Sequence, residues 1–294
     1  MVLIDAVLGL ASSPCPGQAG GTGPGDDRPD RSDDPEEPNV TQVHQRPAEA
    51  VDDALVEAFR RDGVVKVPAV ISKAEAARFR VAAVAASQRL RDNNRDATFA
   101  QFVDVWREDE VLRELTMHHR LAEAATRLAG SPVRLWHDQL LIKAPHNGAA
   151  TEFHQDAPYW PHSEGGPALS AWVALVDVPV ERGCMTFIPG SQSQRGLRAQ
   201  DLTDSRDLFG LAPDLQWEAR VTVPLRAGDC TFHDAYVAHT ATPNLTDDPR
   251  IAHVTIFIDA QKRYTGGAHV VTDGLGLTVG EPLPDDRFPR LPLS

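Results

Sequence analysis

From Pro132 to Asp156 the chain reads PVRLWHDQLLIKAPHNGAATEFHQD, and here its periodicity changes. Upstream, apolar residues recur at helical spacing. Downstream they fall into short β-like runs: Val133 to Ala144, Thr151 to Asp156, Leu169 to Val178 and Cys184 to Ile188. Trp217 to Leu225, Asp229 to Asp234 and Arg250 to Asp259 continue the series. Pro-Gly, Gly-Asp and Asp-Asp-Pro segments mark the connections. Helices first and many strands afterwards predict an α+β domain, mainly β in its core, built on a double-sheet jelly roll.

Three helical patterns precede the strands. Ala48 to Arg61 places Val51, Leu55, Ala58 and Phe59 on one stripe, and Asp62-Gly63 ends it. Val64 to Val70 is a short β-like run. Ser72 caps a helix from Lys73 to Arg91, with Ala76, Phe79, Val84 and Leu90 available to the core. Glu108 to Ala129 puts Val111, Leu115, Leu121, Ala125 and Leu128 near one face, stopped by Gly130 and Pro132. His118 and His119 fall within it as partly exposed helix residues. Residues 1–45 hold a Gly- and Pro-rich stretch and few large apolar side chains after Leu10, which predicts a disordered N-terminal arm. The remainder, 46–294, reads as a single domain with its jelly-roll core at about 133–260.

Charge and composition narrow the function. A formal charge of −13 argues against nucleic acid, whose phosphates need clustered cations. Part of that charge is local, because Asp26 to Glu37 carries seven acids against Arg28 and Arg31. No apolar run is long enough to span a membrane. Val2 to Ala11 lacks a basic flank and is interrupted by Asp5, so the protein is expected to be untargeted and cytoplasmic. Cys15, Cys184 and Cys230 are odd in number and lack zinc-ligand spacing, which predicts reduced thiols.

The chemistry begins at His154-Gln155-Asp156, at the end of a β run. Residues two apart on a strand share a face, so His154 and Asp156 can reach one ion. His162-Ser163-Glu164 offers the same spacing, but it sits between Pro161 and Gly165-Gly166, where a strand is disfavoured. A second histidine would complete a two-histidine, one-carboxylate set with open positions, the arrangement of non-haem Fe(II) oxygen chemistry. His233, His239 and His253 compete for that place. Arg250 separates them. It follows His239 by eleven residues, across a turn signature at Asn244 and Asp247-Asp248-Pro249 that folds it back beside His239. On its strand Arg250 shares a face with Ala252, Val254, Ile256 and Ile258, and His253 faces the other way. A guanidinium in an apolar barrel needs an anion: either Asp247 or Asp248, or the distal carboxylate of a dicarboxylate cosubstrate. Its place beside His239 favours the cosubstrate.

With these residues in hand, the chain resembles the phytanoyl-CoA dioxygenase family of Fe(II)/2-oxoglutarate oxygenases. The matching segments are Trp-His-Asp-Gln-Leu-Leu-Ile-Lys143, Phe-His154-Gln-Asp156-Ala-Pro-Tyr-Trp160 and Trp172-Val-Ala-Leu-Val-Asp-Val. Glu181-Arg-Gly-Cys-Met-Thr186-Phe-Ile-Pro-Gly-Ser191 and His239-Thr-Ala-Thr-Pro-Asn244 with Arg250 complete them. The resemblance implies a cupin-like double-stranded β-helix with supporting N-terminal helices. It also implies iron at His154, Asp156 and His239, and 2-oxoglutarate anchored by Arg250. Lys143 and Trp172 match positions that line the cosubstrate pocket in relatives, with Gln139 and Thr186 as further candidates. Gln192 replaces a frequent family histidine, and Ala241 a frequent serine whose hydroxyl Thr240 or Thr242 could supply instead. Asp156 is kept, which disfavours the halogenating branch, where a small residue stands there.

The implied reaction consumes 2-oxoglutarate and O2, releases succinate and CO2, and hydroxylates an unactivated carbon; desaturation, cyclisation and epimerisation are alternatives on the same chemistry. Tyr159, Trp160 and Trp136 are candidates for an aromatic substrate wall, and His137, His146 and His162 for further substrate contacts. The acidic chain shows no Lys/Arg cluster for a coenzyme A ester, which favours a small metabolite of specialised biosynthesis. A non-catalytic cupin-like binding protein and a zinc hydrolase are the competing readings.

Overall fold

The computed structural model describes residues 51–91, 99–202 and 204–291. The predicted N-terminal arm, Cys15 and the start of the first helix at Ala48 lie outside the described residues. Helix α1 (Asp53–Asp62) begins where the Asp52 side chain accepts a bond from Leu55 N (2.9 Å). It ends at Gly63, whose positive φ of 73° lets its N–H close back on Phe59 O. Helix α2 (Lys73–Arg91) opens on a reciprocal box. Glu75 N donates to Ser72 Oγ (3.1 Å), and Ser72 N to Glu75 Oε2 (2.7 Å). The Ser72 N–H, with the Ser72 hydroxyl beside it, holds the Glu75 carboxyl down at about 2.

The predicted helix Glu108–Ala129 is two helices, α3 (Glu110–Thr116) and α4 (His119–Ala129). Asp109 caps α3, and His118 leaves helical geometry to start α4 with a ψ of 123°. The break lets each piece aim its own stripe inward, Leu112 and Leu115 from α3, and Leu121, Ala125 and Leu128 from α4. It also lets the Thr116 hydroxyl reach Asp138 Oδ2 at 2.8 Å.

The strands are β1 (Val64–Val67), β2 (Phe99–Val103), β3 (Val133–Lys143), β4 (Thr151–His154), β5 (Ala168–Ala174) and β6 (Met185–Phe187). After them come a short helix α5 (Asp207–Leu211), β7 (Val221–Val223), β8 (Cys230–Asp234), β9 (His239–Ala241), β10 (Arg250–Asp259) and β11 (Arg290–Leu291). They form two antiparallel sheets, the jelly roll expected of a double-stranded β-helix. The major sheet runs β1-β8-β5-β10-β3-β11, with β2 also on β3, and the minor sheet runs β4-β9-β6-β7. The predicted strand Trp217–Leu225 shrinks to β7, with Trp217 exposed ahead of it.

Strand β10 is the spine, pairing β3 on one side and β5 on the other. Val254 thereby sits opposite both Gln139 and Trp172. The alternate residues face the helical layer. There His253 Nε2 lies 3.1 Å from Asp138 Oδ2, and both residues are fully buried. Trp106 N donates to the same oxygen (3.0 Å), tying the helical side of the chain to the back of the sheet. Cys184 and Cys230 are free, buried thiols. Among the described residues no helix is long and apolar enough to cross a membrane.

Candidate metal centre and cosubstrate cavity

Pairing within the minor sheet sets His154 of β4 directly opposite His239 of β9, with ring centroids 4.3 Å apart. Asp156 arrives by a different route from the one strand alternation predicts. Strand β4 stops at His154, and Asp156 N and Ala157 N both donate to Ala235 O (2.9 and 3.0 Å). That turn swings Asp156 Oδ1 to 3.5 Å from His154 Nε2 and 3.7 Å from His239 Nε2. Among the described residues these three form the group whose ligand atoms all lie within 4.8 Å of one another.

Both imidazoles are aimed by the backbone. His154 Nδ1 donates to Glu152 O (2.7 Å) and His239 Nδ1 to Val237 O (3.0 Å), which leaves the Nε2 lone pairs facing Asp156. Burial, reinforced by His154 beside it, draws His239 down to about 3. Burial by itself pushes the Asp156 carboxyl up, but His239, His154 and His233 outweigh it and hold the group well below the usual carboxylate range. A divalent ion requires an ionised carboxylate and unprotonated ring nitrogens, and the shifts at Asp156 and His239 run in that direction. The donor set fits Fe(II).

The other candidate histidines are elsewhere. His253 is on the helical side of β10 with Asp138. His233, on β8, faces the second oxygen of Asp156 at 3.6 Å. His162 is buried between Trp136 and Trp160.

A cavity of about 830 Å³, counting its open mouth, lies between the sheets, and His154, Asp156 and His239 line it. Arg250 lines it from β10. Its side chain is 1% exposed, with Cζ 5.4 Å from the Trp172 ring. Burial lowers the guanidinium to about 9, so it stays charged at neutral pH. Gln139 and Trp172 also line the cavity, and the buried Trp172 indole N–H has no hydrogen-bond partner among the described residues. Lys143 is opposite Arg250 in the register but stays outside the lining. Its ammonium donates to the carbonyls of Ala149, Ala241 and Thr242 at 2.9–3.1 Å. Burial, with Arg250 beside it, brings Lys143 to about 7. Thr186 is outside the lining as well, bonded to the Thr222 hydroxyl (2.8 Å).

Tyr159 and Trp160 line the cavity, and the Tyr159 hydroxyl donates to Gln200 O (2.6 Å). Trp136 does not, because it stacks on Phe288 with ring centroids 5.2 Å apart. His146 is exposed beside Asp247. Thr240 and Thr242 spend their hydroxyls on backbone carbonyls of Thr151 and of Val180 and Cys184. Gln192 ties to the Arg60 and Arg61 carbonyls at the end of α1. Gln101, Ser170 and Leu202 line the cavity without having been singled out from the sequence. Ser170 had a signal, since it shares the face of Trp172 two residues on.

His137, His162 and His269 form a second buried imidazole group around Trp136. Burial holds them at about 4, 3 and 3 respectively. An unfolded histidine titrates near 6.5, so below that pH the unfolded chain takes up protons that the folded one refuses. Stability should therefore fall as pH drops from about 6.5 toward about 4, by about 2 kcal/mol per histidine at pH 5. Urea midpoints of the metal-free protein at pH 7 and pH 5 measure the loss, and His162→Phe should lessen it. A midpoint that ignores pH in both proteins would contradict the assignment.

The phytanoyl-CoA dioxygenase (PhyH) family model matches residues 59–252, a span containing His154, Asp156, His239 and Arg250. The chain belongs to the phytanoyl-CoA dioxygenase family. Within this family of Fe(II)/2-oxoglutarate-dependent oxygenases, it is 31% identical over 158 residues to phytanoyl-CoA dioxygenase domain-containing protein 1 of Rattus norvegicus. That match covers 52% of this chain and 54% of the rat protein, so the chain spans about half the length of the curated relatives it matches. Among solved structures it is similar to SnoK, a non-heme alpha ketoglutarate dependent carbocyclase from nogalamycin biosynthesis. Identity there is 35%, the TM-score 0.74, and coverage 84% of this chain and 99% of SnoK. It is also similar to the epimerase SnoN in complex with Fe3+, alpha ketoglutarate and nogalamycin RO. For that complex identity is 38%, the TM-score 0.68, and coverage 81% and 97%.

Proposed function

We propose that this chain is an Fe(II)/2-oxoglutarate-dependent oxygenase that hydroxylates an unactivated carbon of a small metabolite, releasing succinate and CO2. One observation carries the reading: His154, Asp156 and His239 converge within 4.8 Å on a cavity that the buried Arg250 also lines. Iron, 2-oxoglutarate and O2 supply the oxidising chemistry when bound. The chain's own residues bind and orient. His154, Asp156 and His239 hold the metal, and Arg250 offers a two-pronged cation to the distal carboxylate of the cosubstrate. Trp172 packs beside that cation and Gln139 adds a polar group to the same cavity. Tyr159, Trp160 and the apolar Val254 and Ile256 form walls for an organic substrate and exclude water.

Among the described residues that line the cavity, Arg250 is the lone cationic side chain and Asp156 the lone carboxylate. The first fact suits a small metabolite better than a coenzyme A ester. The second leaves a zinc hydrolase without a free general base. Ring closure or epimerisation is the second reading, favoured by the likeness to SnoK and SnoN over almost their whole length. Product mass separates the outcomes, since hydroxylation adds one oxygen, ring closure removes two hydrogens and epimerisation changes nothing.

The test is a screen for succinate release with Fe(II), O2 and a metabolite library. Release should need both Fe(II) and 2-oxoglutarate and should rise with the true substrate. A protein that binds neither Fe(II) nor 2-oxoglutarate would overturn the proposal.

A further inference from the structure

We propose that His233, with Ser170, is a positioning pair that decides which oxygen of Asp156 is offered to the metal. The inference rests on the metal reading above and extends it to residues outside the ligand set. Asp156 divides its two oxygens. Oδ1 faces His154 and His239 at 3.5 and 3.7 Å, whereas Oδ2 faces the Ser170 hydroxyl at 3.3 Å and His233 Nε2 at 3.6 Å.

Ser170 on β5 and His233 on β8 are cross-strand partners in the major sheet, so their side chains share one face. Asp156 approaches that face from the end of β4 in the minor sheet. His233 is 2% exposed and hemmed in by the rings of His239 and Phe187, at 4.8 and 5.4 Å. Its Nδ1 is buried without a hydrogen-bond partner among the described residues. The proton therefore belongs on Nε2, where a carboxylate oxygen can accept it. This geometry explains why a third imidazole so near the ligands stays outside their set. It meets the carboxylate from behind.

Such a restraint has a purpose here because Asp156 is on a turn, not on a strand. The outer torsion of an aspartate is broad and two-fold, so an unheld carboxylate can present either oxygen or both. A carboxylate offering both would take a further coordination position, at the expense of a cosubstrate that needs two. Holding Oδ2 on the major sheet thus serves metal affinity and keeps room for 2-oxoglutarate.

The experiment compares wild type with His233→Ala, His233→Gln and Ser170→Ala, all anaerobic. Fe(II) affinity is read by chelator competition, 2-oxoglutarate affinity by titration of the Fe(II)-loaded proteins, and folding by melting of the metal-free proteins. His233→Ala should weaken Fe(II) by about 10–100-fold and weaken 2-oxoglutarate with it. His233→Gln, which places an N–H donor near the Nε2 position, should recover most of both. Ser170→Ala should show a smaller loss of the same sign. Wild-type affinities in His233→Ala would overturn the proposal, as would a loss that His233→Gln does not relieve. If His233→Ala does not fold, His233→Phe keeps the ring volume and is judged by the same two outcomes. Wild-type protein that binds no Fe(II) would instead overturn the metal reading itself.

Discussion

The His154→Ala protein is expected to lose Fe(II) by more than the about 10–100-fold that removal of an outer partner costs, and to release no succinate. His154 is one of three groups whose ligand atoms converge, and two donors do not make a facial set. No neighbour can step in. His233 meets the far oxygen of Asp156, and His162 is in the Trp136 group. The fold should survive, because His154 ends β4 and its removal leaves the β10 spine untouched. Chelator competition with Fe(II), alongside melting of the metal-free protein, measures the effect. A His154→Ala protein that keeps iron and turnover would mean that the metal is held elsewhere.

The second large effect is expected at Arg250. Arg250→Met, which keeps most of the volume against Trp172, should weaken 2-oxoglutarate by about 2–5 kcal/mol while Fe(II) affinity stays near wild type. The asymmetry follows from position, since Arg250 lines the cavity but is not one of the converging ligand groups. Arg250→Lys should recover only part of the loss, because a point charge does not reproduce a planar fork. Titration of 2-oxoglutarate into the Fe(II)-loaded proteins reads the difference. Unchanged cosubstrate affinity would leave Arg250 a structural cation.

Much of this site was legible because its residues obey local rules. Arg250–Asp259 is a β-rich run, so the strand, with Arg250 on one face and His253 on the other, followed from the two-residue period, and β10 has those bounds. His239 was separable from His233 only through its spacing to Arg250, since all the competing histidines are buried. Asp156 was picked for a reason that the structure replaces. Strand alternation was expected to align it with His154, but a turn held by the Ala235 carbonyl does so.

What stayed hidden depends on contacts far along the chain. No glycine or proline interrupts Glu108–Ala129 at Met117 and His118. The break becomes intelligible only with Thr116 against Asp138, in a strand 22 residues away. Lys143 matched a family position by motif, yet two of the carbonyls that occupy its ammonium come from Ala241 and Thr242. Strand β9 is three residues long, too short for a pattern, although it carries His239. Trp136 and His137 are neighbours at a register shift opposite Ile256 and Phe257, where simple alternation gives no guide to direction.

The proposed function depends on one ion and one dicarboxylate meeting between the two sheets. Anaerobic absorption spectroscopy tests that directly: Fe(II) and 2-oxoglutarate added together to the wild-type protein should raise a weak visible charge-transfer band, absent with either alone and lost in His154→Ala. A wild-type spectrum that stays featureless at saturating Fe(II) and 2-oxoglutarate would contradict the account.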